Sequence, residues 1–122
     1  MPTSDSATAT LEQIHACCQA LHDKKAENLT VLYMGERSTV ADYFVIATGT
    51  SDPHLRALAG TVIDTLRELG APLAGADRSP HSGWGVVDAY DFLVHVFTDE
   101  TRRHFNLEGL WKDAEHVELE LS

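Results

Sequence analysis

The feature that most limits the fold is the run Tyr43-Phe44-Val45-Ile46-Ala47-Thr48, followed at once by Gly49-Thr50-Ser51-Asp52-Pro53. An uncharged stretch rich in β-branched and aromatic residues suits a strand buried on both faces, and such strands belong to sheets covered by helices. Asp52 can cap a helix, and Pro53 can occupy its first turn without losing a needed N–H. Leu55, Leu58, Val62, Ile63, Leu66 and Leu69 then recur with helical spacing up to Gly70, with Pro72 just beyond. A buried strand that feeds an amphipathic helix predicts an α/β protein.

The other elements fit around that unit. Leu11, Ile14, Cys18 and Leu21 predict an amphipathic helix from about Leu11 to Lys25. Leu29 to Met34 reads as a strand, Gly35 to Val40 as a polar turn, and Ala71 to Gly83 as a long loop. Trp84 to Ala89 and Phe92 to Thr98 bracket Tyr90-Asp91 as a tight antiparallel hairpin, although neither bracketed residue is the glycine such turns favour. Asp99 to about Asn106 allows a helical turn or two, with Leu107, Leu110 and Trp111 packed behind it. Val117, Leu119 and Leu121 alternate with Glu118 and Glu120 as an edge strand would. The expected architecture is a mixed sheet of about five strands flanked by helices.

At 122 residues the chain suits one domain, residues 11–122, behind a disordered N-terminus, residues 1–10. That N-terminus has no basic residue and no apolar stretch, so it does not read as a secretory signal. No apolar run approaches the roughly 18 residues that span a bilayer. Cys17 and Cys18 are adjacent and have no distant partner, which suits a reducing cytoplasm. A formal net charge of −10 works against binding nucleic-acid phosphates and favours a basic protein surface.

The residues themselves offer parts of three chemistries. The Gly49-Thr50-Ser51 turn, at a helix N-terminus, offers backbone N–H groups to a phosphate. With Asp88 and Asp91 on a metal ion, it would make a metal-dependent nucleotidyltransferase-like enzyme. That turn carries no lysine or arginine, and an ordinary capped helix explains it equally. Cys18 and His22 lie four apart on one helix, as two metal ligands might, but no second pair completes a site, and Cys18 reads as core. No serine or cysteine stands in a nucleophile turn.

The hairpin carries a different signal. Phe92, Val94 and Val96 form one apolar face of its second strand, while Leu93, His95 and Phe97 form a mixed face expected to look outward. Trp84, Asp88, Tyr90 and Asp91 lie beside that face. Aromatics ringed by carboxylates suit an interface that receives arginine or lysine, so the docking segment is expected to span Ser82 to Phe97. Burial of Trp84 and Phe97 under a terminal helix is the alternative on composition alone.

A longer series of local patterns adds to this. Asp23-Lys24-Lys25-Ala26, the run Ala41 to Ser51 with His54, then Trp84, Asp88, Asp91 and Val94-His95-Val96-Phe97, followed by Asn106-Leu107-Glu108 and Leu110-Trp111, resemble the ribosomal silencing factor family, also called Iojap-like. The resemblance covers about Leu11 to Leu121. It implies a nucleotidyltransferase-like architecture without the enzyme activity, and neither cofactor nor metal. It also implies binding to the large ribosomal subunit through its basic protein fourteen, which blocks joining of the small subunit and represses translation when nutrients are scarce. A homodimer is implied for the free protein. By position, Trp84, Asp88, Asp91, His95 and Phe97 are the implied contacts, and Tyr43 and Phe44 the implied structural residues. The chain departs from the pattern at Ala89-Tyr90, where an aromatic or leucine followed by glycine is usual, so Tyr90 is expected to supply the aromatic. It departs again at Asp77-Arg78, where Glu-Gly is usual.

Overall fold

This computed structural model describes residues 3–35, 41–76, 83–104, 109, 112–118 and 121. Along the chain run α1 (Thr3–Asp23), β1 (Glu27–Tyr33), β2 (Tyr43–Gly49), α2 (Asp52–Glu68), β3 (Gly75–Ala76), β4 (Trp84–Asp88), β5 (Phe92–Thr98), α3 (Asp99–His104) and β6 (Glu115–His116). The architecture is α/β with a mixed sheet in the order β3-β4-β5-β2-β1-β6, so there are six strands where about five were expected. The central pair, β2 and β5, is parallel, and the other pairings are antiparallel.

Every residue of β2 after Tyr43 is buried, as its unbroken apolar sequence demands. One face of the sheet packs under α1 and α2, joining Ile14, Cys17, Cys18 and Leu21 to Leu55, Leu58, Val62 and Leu66 over Val45, Val94 and Val96. Burial pushes the thiols of Cys17 and Cys18 up to about 12, so both behave as core residues. The other face holds Leu32, Met34, Phe44, Ile46, Leu93, Phe97 and Ala114, with Trp84 and Val86 packed against them.

Three local readings are corrected. The first helix, expected from about Leu11, begins at Thr3. It contains Ala7 and Ala9 and no glycine or proline after Pro2, so continuing the helix backwards is cheap. Thr10, which is buried, donates its hydroxyl to Asp91 Oδ2 at 3.4 Å. The cap of α2 is Ser51 rather than Asp52, since Ser51 Oγ accepts from His54 N at 3.2 Å. The terminal edge strand is Glu115–His116, just ahead of the alternating residues, although Val117 N still donates to Val31 O at 2.8 Å. Leu107, Leu110, Trp111, Leu119, Ser82 and Asp77-Arg78 lie outside the described residues.

At the far end of α2, Gly70 has φ +67° and Ala71 N donates to Leu66 O, a left-handed helix stop that favours glycine. Among the described residues no helix is long and apolar enough to cross a membrane.

Candidate docking face

The hairpin forms as read. Trp84 pairs with Phe97, Val86 with His95 and Asp88 with Leu93, so these six residues share one face, while Val87 and Val94 point under the helices. The turn is held by three bonds: Ala89 N donates to Phe92 O at 3.0 Å, Asp91 N to Ala89 O at 2.8 Å, and Tyr90 N to Asp88 Oδ1 at 2.9 Å. Tyr90 sits at φ +66°, in the left-handed region that favours glycine, and is 56 % exposed. The chain therefore places a tyrosine in a backbone conformation suited to glycine, and Asp88 helps to keep it there.

Next to the turn is an aromatic cluster. The Trp84 and Phe97 ring centroids lie 4.8 Å apart, Phe44 meets His95 edge-on at 4.9 Å, and His95 lies parallel to Phe97 at 5.8 Å. Trp84 Nε1 donates to His95 Nδ1 at 3.4 Å. An accepting Nδ1 leaves the proton of the neutral imidazole on Nε2. Burial, which disfavours the charged form, lowers the His95 pKa to about 4.

The six candidate residues thus divide. Trp84 and Asp88 are half-buried, and Tyr90 and Asp91 are exposed. Phe97 is fully buried and His95 is only 7 % exposed, which corrects the expectation that their face looks outward. The cause is the packing of Phe44, Ile46 and Ala114 on the same side of the sheet. The accessible line is Trp84-Val86-Asp88 on β4, continued by Tyr90, with His95 and Phe97 as its floor. Val86 was missed, although period-two alternation from Trp84 marks it.

The enzyme constellation is not assembled. β2 and β5 run parallel, with Tyr43 opposite Phe92 and Gly49 opposite Thr98. The Gly49-Thr50-Ser51 turn therefore follows one end of the pair, while Asp88 and Asp91 sit at the other, about 20 Å away at the rise of a strand. The turn also has its own occupant. Thr50 N donates to His54 Nδ1 at 2.9 Å, and His54 Nε2 donates to Lys24 O at 2.7 Å. Among the described residues no three His, Cys, Asp or Glu side chains are grouped to hold a metal ion.

Comparison with known proteins places the chain in a family. The family model "Ribosomal silencing factor during starvation" matches residues 7–122. A ribosomal silencing factor from Bacillus subtilis is 39% identical over 101 residues, covering 83% of this chain and 86% of the relative. One from Halalkalibacterium halodurans is 36% identical over 109 residues, covering 89% and 93%. A crystal structure of a Chromobacterium violaceum protein superposes with a TM-score of 0.78 at 27% identity, covering 92% of this chain and 91% of that one. With a family match over nearly the whole chain and the same fold in a solved relative, this protein belongs to the ribosomal silencing factor family.

Proposed function

We propose that the chain docks on the large ribosomal subunit through its basic protein fourteen, blocks joining of the small subunit, and so lowers translation when nutrients are scarce. It does this in the cytoplasm, as a binding protein rather than an enzyme, from a free form that is a homodimer. The observation that carries the reading is the line Trp84-Val86-Asp88 with exposed Tyr90, standing on the packed floor of Phe97, His95 and Phe44.

Such a face suits docking for physical reasons. Aromatic side chains held by their neighbours lose little freedom on binding, so more of their buried area becomes affinity. The excess of carboxylates over cations in the chain complements a basic partner and steers its approach. Steric exclusion requires only that the face of the subunit be occupied.

The test is sedimentation of the protein with separated ribosomal subunits, followed by a subunit-joining assay. The expected result is co-sedimentation with the large subunit alone, inhibition of joining, and weaker binding as salt rises. Trp84→Ala is expected to weaken binding by about 2 kcal/mol, roughly thirtyfold. Full binding by a folded Trp84→Ala protein would refute the placement of the face.

A further inference from the structure

The three tyrosines of the chain are Tyr33, Tyr43 and Tyr90, and all three lie at one end of the sheet. Tyr33 stands opposite Tyr43, and Tyr43 opposite Phe92, the residue that follows the hairpin turn. Asp91 O accepts from Asp42 N at 3.1 Å and from Tyr43 N at 3.4 Å, which ties this end to the turn that bears Tyr90. Tyr33 is 40 % exposed and its ring centroid lies 5.3 Å from that of Tyr43, with the planes inclined at 58°. The β1 strand adds Glu115 opposite Tyr33 through its pairing with β6, and Asp42 immediately precedes Tyr43.

Two further facts concern charge. Asp42 and Glu115 are both exposed, and the ion pairs among the described residues, Arg67 with Asp64 and Arg103 with Asp99, involve neither. The Tyr43 hydroxyl is raised above the ordinary tyrosine value, first by burial and then by the charges of Tyr33, Asp42 and Glu115. Both carboxylates therefore lie near enough to Tyr43 to add to that rise.

We propose that Tyr33 and Tyr43, with Asp42 and Glu115, form a second docking site that takes an arginine presented by an extended basic segment of a protein partner. The arginine's planar guanidinium stacks on a tyrosine ring while its N–H groups meet a carboxylate. Lysine, a compact and strongly hydrated charge, can do only the second. The site lies on the sheet face that α1 and α2 cover, where Tyr43 packs with Val31 and Val45, and so is separate from the face that bears Trp84 and Val86. It rests on the docking reading only for the nature of the partner.

The test uses the full chain and two synthetic probes, an arginine hexapeptide and a lysine hexapeptide, with amide shifts recorded by NMR. The expected result is saturable binding of the arginine probe, with shifts concentrated at Tyr33, Asp42, Tyr43 and Glu115, and several-fold weaker binding of the lysine probe. Tyr33→Ser and the pair Asp42→Asn with Glu115→Gln are each expected to weaken the arginine probe about threefold to tenfold. Large-subunit binding is read with Trp84→Ala, and the second site is read from the probe shifts at Tyr33, Asp42, Tyr43 and Glu115, so the two readings fail separately. Shifts spread over the acidic surface, or equal affinity for the two probes, would overturn the second site. So would unchanged probe binding by both variants, each shown to be folded by its own spectrum.

Discussion

Replacing His95 by glutamine isolates the contribution of one buried imidazole. In the folded chain its pKa falls from 6.5 to about 4 because burial disfavours the charged ring. As pH drops below 6.5 the unfolded chain takes up a proton, whereas the folded chain does not do so until about 4. The unfolded state therefore binds more protons across that window, and stability falls as pH falls, levelling off below about 4. The shift of about 2.5 units, at about 1.36 kcal/mol each, corresponds to a loss of about 3 kcal/mol. Glutamine does not titrate, yet it can still accept from Trp84 Nε1, as His95 Nδ1 does. Urea unfolding followed by circular dichroism, at a series of pH values from 7 to 4, gives the stability of both proteins. The glutamine variant is expected to lose less on acidification, by about 3 kcal/mol across the series, whatever its stability at neutral pH. Groups common to both proteins cancel in that difference. Parallel pH profiles would refute the claim that His95 is buried as a neutral ring.

Tyr90→Gly is expected to raise stability by about 0.5–1 kcal/mol, because glycine meets no penalty at the left-handed turn position. Tyr90→Ala, which keeps the strained conformation without the ring, should show no such gain in the same urea titration. Gly83 has φ +76°, and a Cβ there would run into the hydroxyls of Thr98 and Thr101. Gly83→Ala is therefore expected to cost about 2 kcal/mol or more, read as a lowered urea midpoint. Cys17 and Cys18, whose thiols are buried and held protonated, should resist a thiol reagent in the native protein at neutral pH and react promptly in urea.

Where sequence reading succeeded, the information was local. The β2 run, the apolar stripe of α2 and the alternation along β4 and β5 each record which faces an element must bury. Where it failed, the deciding contact came from elsewhere in the chain. Alternation placed Leu93, His95 and Phe97 on one face, but only the folding of Phe44, Ile46 and Ala114 onto that side makes the face interior. Ser51 and Asp52 are both good caps, and the choice between them depends on one backbone angle pair. The two-residue strands β3 and β6 exist because a neighbouring edge is available, and they carry no period of their own. Asp88 and Ser51 looked like parts of one site because nothing in a linear reading measures the length of a parallel strand pair.

The ring of His54 has a consequence beyond the turn it caps. By holding Thr50 N on one side and Lys24 O on the other, it bolts the start of α2 to the loop that leaves α1. A phosphate could take Thr50 N only by displacing the His54 ring, and the helices would then have to be refastened by something else. Adding acidic residues nearby would therefore not by itself turn this scaffold towards nucleotide chemistry, because one of the turn's N–H groups already serves to fasten two helices.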